Sequence, residues 1–154
     1  MSLLTNIVNN VSEAQIVSTP QVNGMYIYND VQKVVAKYSV ADNGGSIGVI
    51  DVPLLGVLPA GAIVYSMIVN VTTALFDDDN GAAVSAGVLT SDDMVESYIT
   101  DTPWNIGALP FESDPYNFVK VTSDTTTMKI EILDYDLYNG AITFTLLYVV
   151  SDVV

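Results

Sequence analysis

The 154-residue sequence contains neither cysteine nor histidine. Without a thiol or an imidazole, Cys–His and Ser–His–Asp nucleophiles cannot be built, disulfides are excluded and almost every zinc site loses its ligands. The phosphate-cradling patterns GxxxxGK and GxGxxG are absent as well. We therefore predict a protein that is not an enzyme and that needs no cofactor.

Positive charge is scarce: four lysines and no arginine stand against eighteen acidic residues, which gives a net charge of −14. Nucleic acids and anionic membranes bind through Lys and Arg, so neither is an expected partner. Uninterrupted apolar runs are also missing, because the longest apolar stretch, residues 52–69, is broken by two prolines, two glycines and a serine. A membrane span needs about 18 such residues, so none is predicted.

Apolar residues are abundant, at half of the sequence, whereas only 14% of residues are charged. One domain of this size has a core large enough to fold without disulfides. Monomers rarely expose large contiguous apolar patches, so the surplus predicts a subunit interface. The chain is therefore expected to self-associate.

Residues 1–20 differ in residue pattern from the rest of the sequence. Their apolar side chains recur at spacings of three and four, which suits one face of a helix, but the Asn and Ser residues between them are poor helix formers. The alternative is an extended arm that orders against a neighbour. We predict an N-terminal arm or short helix over residues 1–20, outside a single domain over residues 21–154, with four interface candidates: Leu4, Ile7, Val8 and Val11.

From Met25 onward, short runs rich in Val, Ile, Thr and Tyr alternate with turn clusters. This pattern is typical of an all-β fold, and we predict an antiparallel β-sandwich, jelly-roll-like, with about eight strands. Its predicted strands are 31–40 with a hairpin partner at 46–52 that Pro53 ends, 62–76 with a return strand at 82–89, 116–122, 126–133, and 141–150 after a turn at Asn139-Gly140.

Two of these strands carry more detailed expectations. In residues 62–76 the alternation places Ile63, Tyr65, Met67, Val69 and Val71 on one face. In residues 141–150 the second face becomes apolar at Leu147 and Val149, so this strand is expected to be buried on both sides or to meet another subunit. Leu147 and Val149 are therefore further interface candidates.

Carboxylates offer the one catalytic route left open, because a glycosidase needs only two acids at the right separation. The region 91–115 holds six acids, with Tyr98 and Trp104 as possible sugar platforms. The alternative, a solvated loop anchored by Trp104, is favoured in a chain with eighteen acids. The six acids are Asp92, Asp93, Glu96, Asp101, Glu112 and Asp114.

The segment Asp77-Asp78-Asp79-Asn80-Gly81 invites comparison with calcium loops. Counted from Asp77, an EF-hand would need glycine at position 6 and glutamate at position 12, where the chain has Ala82 and Val88. A plain turn is favoured, and Asp77, Asp78 and Asp79 remain calcium candidates only for a looser site between symmetry mates. The tyrosine pairs Tyr26/Tyr28 and Tyr135/Tyr138 are expected to pack in sheets and interfaces.

The segments 58–76, 85–88 and 139–148, with their "P-x-G-(apolar)" strand start and a last strand that follows glycine and ends in Tyr, resemble small jelly-roll or β-sandwich virion proteins of tailed bacteriophages, of the capsid decoration or cement type. The resemblance implies a structural protein on the capsid exterior, a homotrimer that binds the major capsid protein across capsomer seams. A head- or tail-fibre or receptor-binding module is the alternative, ahead of a carboxylate-based glycan-active enzyme.

Overall fold

The computed structural model describes residues 21–22, 25–26, 31–100, 104, 111–112 and 118–150. The predicted arm, with Leu4, Ile7, Val8 and Val11, lies outside these residues, so the boundary at residue 20 stays a prediction. Internal contacts divide the chain into the units Met1–Asp30 and Val31–Val154. In the first unit, β1 (Gln21–Val22) pairs antiparallel with β2 (Met25–Tyr26).

The second unit is almost entirely β-structure. Its strands form one curled antiparallel sheet in the order β7-β6-β10-β4-β3-β11-β5-β8, with β9 also paired to β5. The predicted all-β, antiparallel, jelly-roll-like class is confirmed. The elements are β3 (Gln32–Ser39), the helical turn α1 (Val40–Asn43), β4 (Gly48–Leu58), β5 (Ala62–Phe76), β6 (Ala83–Gly87), β7 (Val95–Tyr98), β8 (Phe111–Glu112), β9 (Val119–Lys120), β10 (Thr125–Leu133) and β11 (Asn139–Val150).

Strand β4 belongs to both halves of the curled sheet. Its first part pairs with β10 as far as Pro53, opposite Thr127, and its next residue, Leu54, pairs with Ala36 of β3. After a register shift, Leu58 pairs with β10 again, opposite Thr125. The prediction that Pro53 ends the strand was wrong, since β4 continues to Leu58. Proline does interrupt a ladder, but here the pairing with β10 breaks off after Pro53 and resumes at Leu58 instead of ending. The main partner of β4 is thus β10, not its predicted hairpin partner β3.

Strand β5 has the predicted bounds, 62–76, but the prediction of which side chains share one face holds for only part of the strand. Met67, Val69 and Val71 are buried as expected, whereas Ile63 and Tyr65 lie half-exposed. The cause is a β-bulge: Leu147 of β11 faces Ser66 while the next residue, Tyr148, faces Val64. One extra residue in β5 reverses the side-chain alternation on either side of it. Strand β11 keeps its predicted alternation, with buried Ile142, Phe144, Leu146 and Tyr148.

Two predicted hairpins are wrong because the pairing is non-local. Asn139 and Gly140 do not form a turn between β10 and β11; both lie in β11, which pairs with β3 and β5. Gly140 has φ 143°, and a Cβ there would lie 2.4 Å from a Leu75 methyl carbon, so a close approach to β5 explains this glycine. Strand β6, expected to return beside β5, pairs with β10 and β7 instead.

The core lies between the two halves of the curled sheet. Trp104 is its largest fully buried side chain, and its ring meets Phe144 edge-on at a centroid distance of 6.5 Å. The indole N–H donates to the Ser97 carbonyl at 3.1 Å, which satisfies the polar atom. The predicted anchoring role of Trp104 is confirmed. Other large buried side chains are Tyr38, Leu58, Met67, Met94, Met128, Ile130 and Ile132.

Candidate interaction surfaces

Three loops meet at one end of the sheet. The pairs Phe76–Asn139 and Ala83–Leu133, and the bond from the Leu137 N–H to the Gly45 carbonyl at 2.7 Å, bring loops 40–47, 77–82 and 134–138 to the same edge. We call this edge the aspartate end, because its loops contain no lysine and six aspartates: Asp42, Asp77, Asp78, Asp79, Asp134 and Asp136.

Asp77 organises the first of these turns from inside. Its side chain is 1% exposed, and its carboxylate accepts the backbone N–H groups of Asp79 at 2.9 Å, Gly81 at 3.1 Å and Ala82 at 2.6 Å, as well as that of Asn80. Hydrogen bonds from N–H groups to a carboxylate are charge-assisted and strong. The predicted solvated turn is thus built around one buried aspartate.

Asp78 and Asp79 point the other way and are exposed. Within the described part of the chain their carboxylates accept no hydrogen bond, and no group of three or more acids is placed to hold a metal ion. Both oxygens of Asp77 already accept backbone donors. The looser calcium site for which Asp77, Asp78 and Asp79 are candidates is not tested by these contacts, and the plain turn stays the favoured interpretation.

Large apolar side chains are exposed beside these acids. Phe76 is 50% exposed and Tyr138 is 60% exposed, and the Tyr138 N–H donates to the Phe76 carbonyl at 2.8 Å, so the two residues adjoin. Tyr135 is also exposed and lies over Gly81, where a Cβ would come within 2.6 Å of its ring. Tyr98 lines a surface cavity of about 510 Å³ together with Ala83, Glu96, Ser97, Leu133 and Asp134.

Hydrogen bonds hold the loops of the aspartate end to one another. Asp136 accepts the Ile47 N–H at 2.9 Å, and the Tyr38 hydroxyl donates to the Gly44 carbonyl at 2.8 Å. Burial raises the pKa of Tyr38 to about 12, because the phenolate would lose its hydration. Leu137 is buried between exposed Asp136 and Tyr138. The exposed side chains therefore project from a loop backbone that hydrogen bonds hold in place.

The opposite end of the sheet uses its acids differently. Asp93 accepts the N–H groups of Val88 at 2.7 Å, Leu89 at 2.9 Å and Thr90 at 3.0 Å, and Asp124 accepts that of Ala60 at 2.9 Å. In the adjoining turn, residues 58–61, Gly61 has φ 89°. Proline followed two places later by glycine predicts this left-handed conformation at the glycine.

The acids proposed for glycan chemistry are not gathered into one described site. Asp92 accepts the Thr90 hydroxyl at 3.1 Å, and Glu96 lies on β7. Asp101 and Asp114 fall outside the described residues, and only the backbone of Glu112, in β8, is described. Trp104 is in the core and offers no sugar platform, whereas Tyr98 is exposed.

The outer surface of β11 carries the remaining interface candidates. Leu147 and Val149 are half-exposed there rather than buried on both sides. Val149 faces Ile63 of β5, and Thr145 lies between Val35 of β3 and Ile68 of β5. We call this half-exposed apolar surface, formed by Val35, Ile63, Ile68, Leu147 and Val149, the β11 face. The interface role of Leu147 and Val149 stays a prediction.

Comparison with known proteins gives matches in structure alone. No family model matches the chain, and no curated protein sequence matches it. Among solved structures, a chain of the cyanophage Pam1 capsid asymmetric unit has a TM-score of 0.57 at 14% identity, over 92% of this chain and 97% of that one. The chain shares its fold with a phage capsid chain.

Two further phage capsids contain similar chains. A chain from the acid-stable capsid of Helicobacter pylori bacteriophage KHP30 matches with a TM-score of 0.53 at 18% identity, over 81% of this chain and 97% of that one. A chain from the capsid of Ralstonia phage GP4 matches with a TM-score of 0.52 at 14% identity, over 92% and 94%. The resemblance to β-rich virion proteins is thereby confirmed for the fold. No helix among the described residues is long and apolar enough to span a membrane.

Proposed function

We propose that this chain is a structural, non-catalytic protein of a phage particle, and specifically a decoration or cement protein on the capsid exterior. The observation that supports it most is coverage: the match to the Pam1 chain spans 92% of this chain and 97% of the other. The similar chain in that capsid is therefore of nearly the same length. A capsid subunit of this size suits a protein added to a shell.

The mechanism follows from mass action. A protein that binds only the assembled shell stabilises that state by RT ln(1 + [L]/Kd), which is about 2.7 kcal/mol at a hundredfold excess over Kd. Binding across the seam between two capsomers of the major capsid protein ties the capsomers together. Exposed apolar side chains such as Phe76 and Tyr138 supply area for such contacts.

The partner set includes the chain itself. We expect a homotrimer assembled through the β11 face, because half-exposed apolar side chains on the central strand of a sheet gain most from being covered. A three-fold ring needs a heterologous contact that closes, so the β11 face would meet a different surface of the neighbouring copy. Leu147 and Val149 are the residues proposed for this contact.

The absence of catalysis is part of the proposal. Among the acids of the region 91–115 that are described, Asp93 is occupied by three backbone donors and Asp92 by a threonine hydroxyl. With no histidine, cysteine or arginine in the sequence, few other catalytic groups exist. A fibre or receptor-binding module is the second candidate, favoured by the exposed tyrosines Tyr98 and Tyr138, which suit ligand contacts.

The test uses capsids that lack the chain. Purified full-length protein is added back, and capsid disruption is followed by light scattering and calorimetry during heating. We expect the disruption temperature to rise in a saturable, concentration-dependent way. A variant without residues 1–20, the proposed arm, is expected to keep the melting temperature of the free protein but to bind the shell less tightly. Equal heat resistance with and without bound protein would contradict the cement function.

A further inference from the structure

We propose that the aspartate end is the docking surface of this chain, and that its partner is a protein surface rich in lysine and arginine, with Phe76 and Tyr138 as the apolar anchors. The inference rests on the proposed function in one respect only, that the partner surface belongs to the capsid. It adds which surface of this chain docks and what chemical character the partner surface has.

The apolar part of the argument is the pair of exposed aromatic rings. Phe76 ends β5 and Tyr138 precedes β11, and the N–H to carbonyl bond of 2.8 Å fixes the two residues side by side. Each ring is at least half-exposed, and Ile47 and Tyr135 extend the apolar surface on the same end. Aromatic residues in adjacent, braced positions are the usual centres of protein interfaces.

The electrostatic part identifies the partner. Within the described part of the chain, Asp42, Asp78, Asp79 and Asp134 are exposed and their side chains accept no hydrogen bond, so their charges are available. Lys37 lines a surface cavity with Asp42, whereas Lys33, Lys120 and Lys129 lie on strands away from these loops. Lys129 is already paired with Asp51 at 2.8 Å. A second aspartate end, a nucleic acid or an anionic bilayer would be repelled. A basic protein surface is the partner with complementary charge.

Another exposed apolar surface makes a useful contrast. Val49, Leu55 and Val57 are exposed along β4, whose one acid, Asp51, is paired with Lys129. Nothing there selects the sign of a partner's charge. Leu55 and Val57 therefore serve as a matched control for Phe76 and Tyr138.

The first experiment measures binding to capsids that lack the chain. The variants are Phe76→Ser with Tyr138→Ser, and the control is Leu55→Ser with Val57→Ser. We expect the aromatic pair to weaken binding at least about 30-fold, as truncation of central interface residues does, and the control to change it less than about threefold. Thermal melting of each free variant checks that it is folded.

The second experiment tests charge. Asp78→Asn with Asp79→Asn is compared with Asp92→Asn with Asp124→Asn, which removes the same number of exposed acids at the opposite end of the sheet. We expect the first pair to slow association about fivefold or more at 50 mM salt, and the difference to shrink at 500 mM salt because exposed charges are then screened. Equal association rates of the two pairs at low salt would overturn the electrostatic part.

The third experiment needs no variant. Hydroxyl-radical footprinting of the wild-type chain, free and bound to capsids, is expected to show strong protection of Phe76, Tyr135 and Tyr138 and little change at Leu55. Protection confined to other surfaces would overturn the docking inference and leave the cement function standing. Failure of the wild-type chain to bind capsids at all would overturn both.

Discussion

The two ends of this sheet use their aspartates in different ways. At the opposite end, Asp93 and Asp124 are used to accept backbone N–H groups of loops 88–90 and 60. At the aspartate end, Asp77 and Asp136 do the same work, but four more exposed acids lie around them with no described partner. Acids needed for folding are thus present at both ends, whereas surplus acids gather at one.

The difference teaches how a strongly acidic chain can separate stability from recognition. A carboxylate turned inward stabilises a loop by satisfying its N–H groups, and one turned outward adds charge without contributing to the fold. One turn shows both uses: Asp77 is buried and accepts four backbone N–H groups, whereas its neighbours Asp78 and Asp79 are exposed. Substitutions at the two ends should reveal that separation.

The largest effect is expected from Asp77→Ala, which leaves four backbone N–H groups without their acceptor, among them that of the fully buried Ala82. We expect a loss of about 3 kcal/mol in the free energy of unfolding, measured by urea denaturation, because buried unpaired donors are costly. Asp93→Ala should cost about 1–2 kcal/mol, since two of its three donors, on Leu89 and Thr90, are in exposed residues and can bind water.

Asp78→Ala is the control in the same turn and should change stability by less than about 0.5 kcal/mol. A loss from Asp78→Ala as large as that from Asp77→Ala would contradict the division between inward and outward acids.

A smaller effect, about 2 kcal/mol each, is expected from Gly45→Ala and Gly87→Ala. A Cβ at Gly45 would lie 2.1 Å from the Leu137 carbonyl oxygen, and one at Gly87 would lie 2.0 Å from the Thr90 carbonyl oxygen and 2.3 Å from Asp93 Oδ1. Combining Gly87→Ala with Asp93→Ala should lower the free energy of unfolding by less than the sum of the two single losses, because both changes act on one loop. Combining Gly45→Ala with Asp93→Ala should be additive, and calorimetric melting measures both cases.

The smallest effect concerns Tyr38, whose hydroxyl braces the aspartate end at Gly44. Tyr38→Phe should cost about 1 kcal/mol at pH 7 through the lost hydrogen bond. The pKa of Tyr38 is about 12 in the folded chain, above its ordinary value of 10.0, so the unfolded chain releases this proton first. The resulting stabilisation is present below pH 10 and is lost as the pH rises toward 12.

Urea denaturation at pH 7, 10 and 11.5 measures this, and Tyr38→Phe should make the decline above pH 10 shallower. An unchanged slope in Tyr38→Phe would show that other groups cause the alkaline loss.

Local pattern was enough to predict several elements of the fold. Alternation over residues 62–76 predicts the bounds of β5, and alternation over 126–133 and 141–150 predicts the buried faces of β10 and β11. What the pattern misses is non-local pairing. Strand β5 pairs with β11 and not with its sequence neighbour β6, while β3 and β6 each pair with a distant strand in addition to their neighbours β4 and β7. The bulge at Tyr65 is equally invisible, since it depends on the register of β11.

The candidate surfaces were predicted only in part. The turn at residues 77–81 and the tyrosine pair Tyr135/Tyr138 stand out in the sequence, and the structure brings both to one end. Sequence alone cannot say which of three consecutive aspartates turns inward, because that choice depends on where the N–H groups of the turn point. Phe76 was missed as an exposed residue because it ends a strand whose other apolar residues are mostly buried.

The place of β11 in the sheet has a consequence for how the chain is made. It lies between β3 and β5, yet residues 139–150 follow both of those strands by more than sixty positions. A ribosome therefore exposes β3 and β5 with open, hydrogen-bonding edges before the strand that joins them exists. Such non-local closure is slow and leaves nascent chains open to aggregation. Fragments ending before Asn139 should accumulate in inclusion bodies, and cooler, slower synthesis should favour the full-length product.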